Sequence, residues 1–440
     1  MSEETPGETF TEQACRWAYA GLLRLLTPLY LARLWRRGAA EPLYRQALGQ
    51  RLGCYPRSAE AHDWIWIHAV SLGETLAAAA LIQALREQQP LPALPPLRFL
   101  LTHSTATGRA AGQPLLQPGD EQAWLPYDTP GAVRRFLRHW RPRVGVLMET
   151  EIWPTLQFEA ARHGVPMLLA NARLSARSQR RGERLAPLLH AAARRLSLVL
   201  AQTEADAQRL RASGAPTVRV CGNLKFDLTP DAALLAQGRQ WRALLQQTGQ
   251  RPVLLAAVTR EGEEAQLLQA WAKLPSAQRP LLLIVPRHPQ RFDEVAALVR
   301  AAGLSLARRS DWTDQPGAAA LAADVWLGDS MREMALYYAL ADAALLGGSF
   351  APLGGQNLIE AAACGCPLVM GPHTFNFADA AERARQAGAA LRVADMTQGL
   401  HAALALCADP ARQQQMASAA EHFAAQHRGA AARMAAEILR

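Results

Sequence analysis

Short, wholly apolar runs of four or five residues alternate along this chain with longer stretches whose apolar positions recur every three or four residues. The first pattern predicts strands buried on both faces, and the second predicts the helices that cover them. In the first half the predicted strands are Trp64–His68, Arg98–Thr102, Val144–Met148, Met167–Ala170, Leu198–Ala201 and Val218–Val220. In the second half they are Val253–Ala257, Leu281–Val285, Asp324–Leu327, Ala343–Leu346 and Pro367–Met370. Pro90–Pro96 reads as a loop between a helix and a strand, and Ala408–Arg440 as helical. The two series, separated by Gly222–Gln250, predict two doubly wound α/β domains. Ligands of such sheets sit outside the carboxyl ends of the strands, here in a cleft that the two domains face. The expected division is 1–50, 51–222, a linker over 223–250, 251–407, and helices over 408–440.

One element stands outside this alternation. Trp17–Trp35 is rich in leucine but is interrupted by Arg24 and Pro28. A spanning helix needs about 20 apolar residues with almost no charge. The segment therefore reads as a helix lying in a membrane interface, with Arg33, Arg36 and Arg37 toward lipid headgroups, or as one packed on the protein itself. The acidic residues Glu3, Glu4, Glu8 and Glu12 before it, with no cleavage site, argue against a signal peptide.

Composition narrows the choice of partner. At 440 residues, half of them apolar, the chain is long enough for two cores, and its net charge of +9 favours an anionic partner. No basic stretch interleaves with aromatics, so nucleic acid ranks behind a phospholipid surface or a phosphorylated substrate. Six cysteines without zinc-site spacing fit a reduced compartment.

Candidate chemistry gathers after the strands. In His68–Thr75, Glu74 stands where a carboxylate can take a proton from an attacking hydroxyl, while Ser71-x-x-Glu74 equally matches a capping box before a helix over Leu76–Leu85. Glu149 and Glu151 are either first-turn acids favoured by a helix dipole or anchors for a polyhydroxylated substrate. Lys225, in Gly222–Asp227, is either a phosphate or carboxylate partner or a solvated linker charge. Arg287 closes a strand beside the cleft and can bind phosphate through paired donors. Gly328–Met334 starts a helix whose N–H groups can receive an anion.

The densest signal is Gly347-Gly348, then Gly354 to Ala362, then Gly365 and Gly371. Glycines there let backbone approach a phosphate, and Glu360 is placed for a ribose diol, which points to a nucleotide-sugar site. No Asp-x-Asp pair lies at a suitable strand end, so no metal-held diphosphate is expected. Leaving-group charge falls to Arg287, loop amides and Lys225.

Eight stretches together resemble the Kdo transferases of Gram-negative lipopolysaccharide assembly (glycosyltransferase family 30). They are HAVSLGET (68–75), PYDT (126–129), METEIWP (148–154), NARLSARS (171–178), GNLKFD (222–227), PRHPQRF (286–292), GDSMREM (328–334) and GPHTFNF (371–377). The resemblance implies a GT-B fold of two Rossmann-like domains and a metal-independent, inverting transferase. CMP-Kdo would be its donor and a lipid A precursor its acceptor. It also implies a monotopic helix at the cytoplasmic face of the inner membrane. By the same resemblance the catalytic base falls on Glu74, and transition-state groups fall on Glu149 and Lys225. CMP contacts fall on Pro286, Arg287, Met331, Arg332, Glu333, Asn357, Leu358, Ile359 and Glu360.

The chain departs from the family's usual pattern at Arg332, Gln356 and Ala362, and in AAVTREGEE over Ala256–Glu264. Competing expectations are a transferase of the same fold using a UDP-sugar, a nucleotide-sugar epimerase, and a non-enzymatic lipid-binding protein.

Overall fold

A computed structural model describes residues 8–56, 63–89, 97–227, 229–247, 249, 251–275, 279–312 and 314–440. The expected loop Pro90–Pro96 lies outside the described residues. The chain forms two compact units, one from Met1–Asp227 with Arg428–Arg440, the other from Leu228–His427.

In the first unit, seven strands run parallel in the order β3-β2-β1-β4-β5-β6-β7. They are β1 (Trp64–His68), β2 (Arg98–His103), β3 (Glu121–Trp124), β4 (Val144–Met148), β5 (Met167–Ala172), β6 (Leu198–Ala201) and β7 (Val218–Val220). Alternate residues of β1 enter opposite cores, Ile65 and Ile67 on one face, Trp64 and Trp66 on the other. That two-sided burial is why the strands read as continuous apolar runs. The order reverses between β1 and β4, which puts the topological switch point beside the loops that follow those two strands.

The second unit repeats the plan in the order β10-β11-β9-β8-β12-β13-β14, again all parallel. Its strands are β8 (Val253–Thr259), β9 (Leu281–Pro286), β10 (Leu306–Arg308), β11 (Val325–Leu327), β12 (Ala343–Leu346), β13 (Leu368–Met370) and β14 (Ala390–Arg392). Here the reversal lies between β8 and β12. The expected two-domain α/β architecture of GT-B type is present.

Three details differ from the sequence reading. The short edge strands β3, β10 and β14 were not expected. Most of the supposed linker 223–250 is ordered structure: Leu224–Asp227 is a 3-10 turn of the first unit, and Ala232–Gln247 is a helix of the second that buries Trp241 and Leu245. The tail also divides. Pro410–Gln426 stays with the second unit, whereas Ala430–Leu439 returns to the first and buries Ala431, Met434 and Ile438 in the core shared with Ile65 and Leu81.

The N-terminal helix spans Phe10–Arg37 and starts with a full capping box: Glu12 N–H donates to Thr9 Oγ1 (3.3 Å) and Thr9 N–H to the Glu12 carboxylate (3.0 Å). Its buried seam is Glu12, Arg16 and Ala20. Glu12 pairs with Arg194, Arg16 lies 3.5 Å over the Phe158 ring, and the Tyr19 hydroxyl lies near buried Asp128. The opposite face exposes Trp17, Leu22, Leu25 and Leu29. Among the described residues, no helix is long and apolar enough to cross a membrane.

Candidate functional site

The switch point of the first unit carries three carboxylates and one ammonium. Glu74 is in the first turn of the helix Leu72–Glu87, which begins four residues before the expected Leu76. Val70 N–H and Ser71 Oγ–H donate to its two oxygens at 2.8 and 3.1 Å. Ser71 accepts no helix N–H in return, so the reciprocal capping box is absent. The carboxylate is held in place, and its acidity is tuned by its surroundings: burial raises its pKa, the Glu149 charge raises it further, and Lys225 lowers it.

Glu149 follows β4 at φ 59°, a left-handed conformation uncommon for a side chain of this kind. Its amide donates to Ala170 O at 2.9 Å and its carbonyl accepts from Arg173 at 3.2 Å, so pairing on both sides holds the turn. Lys225 Nζ lies 3.3 Å from the Glu149 carboxylate. Although Lys225 follows the edge strand β7, buried Asn171 draws its loop inward by accepting Leu224 N–H at 3.1 Å. Asp227 holds the other end of that loop, accepting from the first amides of the C-terminal helix, Gly429 and Ala431. Lys225 is thus a paired charge rather than a solvated linker residue.

Glu151 joins the cluster. Burial, then the Glu74 and Glu149 charges, push its carboxyl up to about 7. The sequence showed it only as the second of two acids at alternate positions. Asp128, in the PYDT stretch, is a further residue whose role was not read. It accepts Thr155 and Leu156 N–H at 3.0 and 2.7 Å, which caps the helix after METEIWP.

In the second unit the loops after β8 and β12 meet at the switch point, and a buried acid joins them. Glu263 accepts N–H of Gly348 (2.7 Å), Phe350 (3.1 Å), Ala351 (3.3 Å) and Arg260 (2.9 Å). For Gly348, Phe350 and Ala351 the expectation that loop amides face a phosphate is therefore corrected, because a buried carboxylate needs donors and takes these three. Gly347 serves close packing: a Cβ there would stand 2.2 Å from Val258 O. Val258, within the stretch that departs from the family pattern, is itself at φ 58°, a strained conformation for a β-branched residue. Glu264 is bound by the two terminal nitrogens of the Arg291 guanidinium at 2.7 and 3.1 Å and by Thr259 Oγ–H at 2.6 Å. Glu263 and Glu264 were missed as site-builders. Their signal was the paired acid at a helix start after a strand.

Around this frame, Arg287 is exposed just past β9, and its backbone N–H bonds Thr259 O at 2.9 Å. Burial raises the pKa of Glu360, and the nearby Arg287 charge lowers it. Asn357 caps the helix Leu358–Ala363 through Ile359 N–H at 3.2 Å. Pro286, Leu358 and Ile359 are buried, so none of the three presents its side chain to a ligand. Met331 and Arg332 are exposed, the latter at φ 67°, where a small residue is easier. The Glu333 carboxylate is engaged by Arg309 at 2.8 Å and by the Tyr337 hydroxyl at 3.2 Å. Gln356 places its amide over Gly348, and Ala362 is buried.

The chain is similar to known proteins in sequence and in fold. A family model described as 3-deoxy-D-manno-octulosonic-acid transferase (kdotransferase) matches residues 46–228. A 3-deoxy-D-manno-octulosonic acid transferase of Bordetella pertussis is 49% identical over 431 residues, covering 95% of this chain and 97% of its own. One from Haemophilus influenzae is 35% identical over 366 residues, covering 82% and 83%. Among solved structures, Anabaena Alr3699/HepE in complex with UDP superposes with a TM-score of 0.56 at 16% identity, covering 86% of this chain and 99% of that one. At that identity the likeness is one of fold.

Proposed function

The chain belongs to the 3-deoxy-D-manno-octulosonic acid (Kdo) transferase family, and from that premise we propose that it moves Kdo from CMP-Kdo to a lipid A precursor by direct displacement. It is a glycosyltransferase that transfers Kdo in lipopolysaccharide core biosynthesis. Family membership disfavours the epimerase, the UDP-sugar transferase and the lipid-binding protein.

In the proposed step Glu74 removes the proton from a primary hydroxyl of the acceptor. The freed oxygen bonds to the anomeric carbon of Kdo as the bond to the CMP phosphate breaks, and the configuration inverts. The departing phosphate carries the electron pair away and meets Arg287, with no metal in the step. Lys225, tethered to Glu149, stabilises negative charge in the transition state. Glu360, with the Asn357 loop, takes the nucleotide. The N-terminal helix rests on an anionic inner-membrane surface at the cytoplasmic face, with Leu25 and Leu29 in lipid and its terminal arginines at the headgroups.

The observation that carries this reading is the convergence of Glu74, Glu149 and Lys225 at one switch point. A base needs raised basicity and a fixed orientation, and Glu74 has both. Kdo transfer to a purified lipid A precursor, with CMP-Kdo as donor, tests it. Glu74→Ala is expected to lower kcat by about 100-fold or more while CMP still protects the protein against thermal unfolding. Undiminished transfer by that variant would remove Glu74 from the mechanism.

A further inference from the structure

The first unit contains a cavity that the proposed step does not use. It has a volume of about 170 Å³ and lies between the sheet and the helices Ala176–Gly182, Ala186–Ala193 and Glu204–Ala212. Ile152, Leu169, Leu189, Ala193, Leu196 and Leu210 form the apolar part of its wall, and Arg173, Ser178, Gln179, His190 and Ser213 are among its polar residues. Covering such apolar side chains with hydrocarbon in place of water is favourable.

Its shape follows from where the lining residues sit on the sheet. Thr150 follows the carboxyl end of β4 and Arg173 that of β5, whereas Leu196 precedes β6 and Ala215 precedes β7. The cavity therefore runs the length of a strand, roughly 15–20 Å for five or six residues. A space extended along a strand suits a linear chain better than a ring.

Two further observations identify the chain. Thr150, in the cavity wall, is the chain neighbour of both Glu149 and Glu151, so one end of the cavity adjoins the carboxylate cluster where the acceptor hydroxyl must stand. On the helix that lines the cavity and just after it, Arg177, Arg180, Arg181 and Arg184 are exposed on one short stretch, a surface complementary to an anionic headgroup. The N-terminal helix packs on Ala186–Ala193 and is tied to Arg194 through Glu12, so the element proposed to touch lipid adjoins the same wall.

We propose that this cavity is an acyl-chain subsite, which takes one hydrocarbon tail of the glycolipid acceptor and thereby sets the sugar hydroxyl against Glu74. The assignment rests on the proposed acceptor class, and a probe that needs no transfer separates the two. Dodecyl phosphate, titrated by calorimetry below its micellar concentration, is expected to bind wild type and to bind Ala193→Phe, whose ring fills the cavity, at least about tenfold more weakly. The thermal melt of Ala193→Phe verifies its fold, and Leu189→Trp serves if that variant fails to fold. In Kdo transfer, the same variant should raise KM for the acylated acceptor about tenfold with kcat kept. No binding by wild type, or equal binding by wild type and a folded cavity-filling variant, overturns the subsite. A wild type that binds the probe but yields no Kdo product leaves the subsite standing and overturns the acceptor reading.

Discussion

Glu74 stands near two charges of opposite sign, and each can be removed alone. A general base works when deprotonated, so transfer falls as pH drops through its pKa, which burial and Glu149 raise and Lys225 lowers. Glu149→Gln removes a raising charge and is expected to move the acid limb of kcat/KM to lower pH. Lys225→Met removes a lowering charge and moves it to higher pH. Both variants lose rate, so the limb is read from the pH profile of the residual activity, and coincident limbs would contradict a titrating Glu74. Gly347 makes a steric case at the same scale. A methyl group there meets the Val258 carbonyl at 2.2 Å, and Gly347→Ala is expected to cost about 1–3 kcal/mol, measured as a lower midpoint of thermal unfolding. Glu74 was legible as a candidate because it follows an apolar strand, but whether it served as base or cap could not be told from spacing. The charges that bear on its acidity, Glu149 and Lys225, are brought from β4 and from beyond β7 by sheet pairing that no local pattern records.

At the scale of elements, strands buried on both faces announced themselves, and strands at the margins did not. β3, β10 and β14 are edges of their sheets, with sequences EQAW, LAR and ALR. An edge strand has one neighbour and less cover, so it keeps polar residues and loses the continuous apolar run. β7 is also an edge, yet Val-Arg-Val keeps enough β-branched character to read as a strand. The glycine-rich loop after β12 was visible as a train of glycines, but its partner was not, because Glu263 reaches it from the loop after β8. Glu263→Gln leaves one oxygen to accept where two share four amides, and turns an NH2 toward donors. Removing such an acceptor is worth about 1–3 kcal/mol. Since the loop frames Asn357 and Glu360, CMP affinity is expected to fall about tenfold in Glu263→Gln, read by isothermal titration. Unchanged affinity would show that the nucleotide site does not depend on this loop.

At the scale of the whole molecule, two series of strands predicted two α/β units, whereas the position of the chain ends was hidden. The alanine-rich tail looked uniform, yet its last helix leaves the second unit to back the helix that carries Glu74, anchored by Asp227. Helical periodicity shows that a face is apolar and says nothing of which partner will cover it. The N-terminal helix poses the same question and answers it with two faces. Its seam of Glu12, Arg16 and Ala20 is spent on the protein, through Arg194 and Phe158, so deleting residues 1–40 would expose Asp128 and Phe158 as well as remove a lipid contact. Substitution on the outer face avoids that confusion. Leu25 and Leu29 are 81% and 64% exposed, and a glutamate at either gives up no packing within the chain. Leu25→Glu with Leu29→Glu is therefore expected to leave the thermal midpoint within about 1 °C, since surface changes of this kind stay within about 0.5 kcal/mol. It should nevertheless abolish co-sedimentation with anionic phospholipid vesicles, because two apolar contacts are lost and two repelling charges gained. Transfer to acceptor in vesicles should fall with it, and transfer to acceptor dispersed in detergent should not. If the doubly charged variant still sediments with the vesicles, the outer face of this helix is not what holds the protein to lipid.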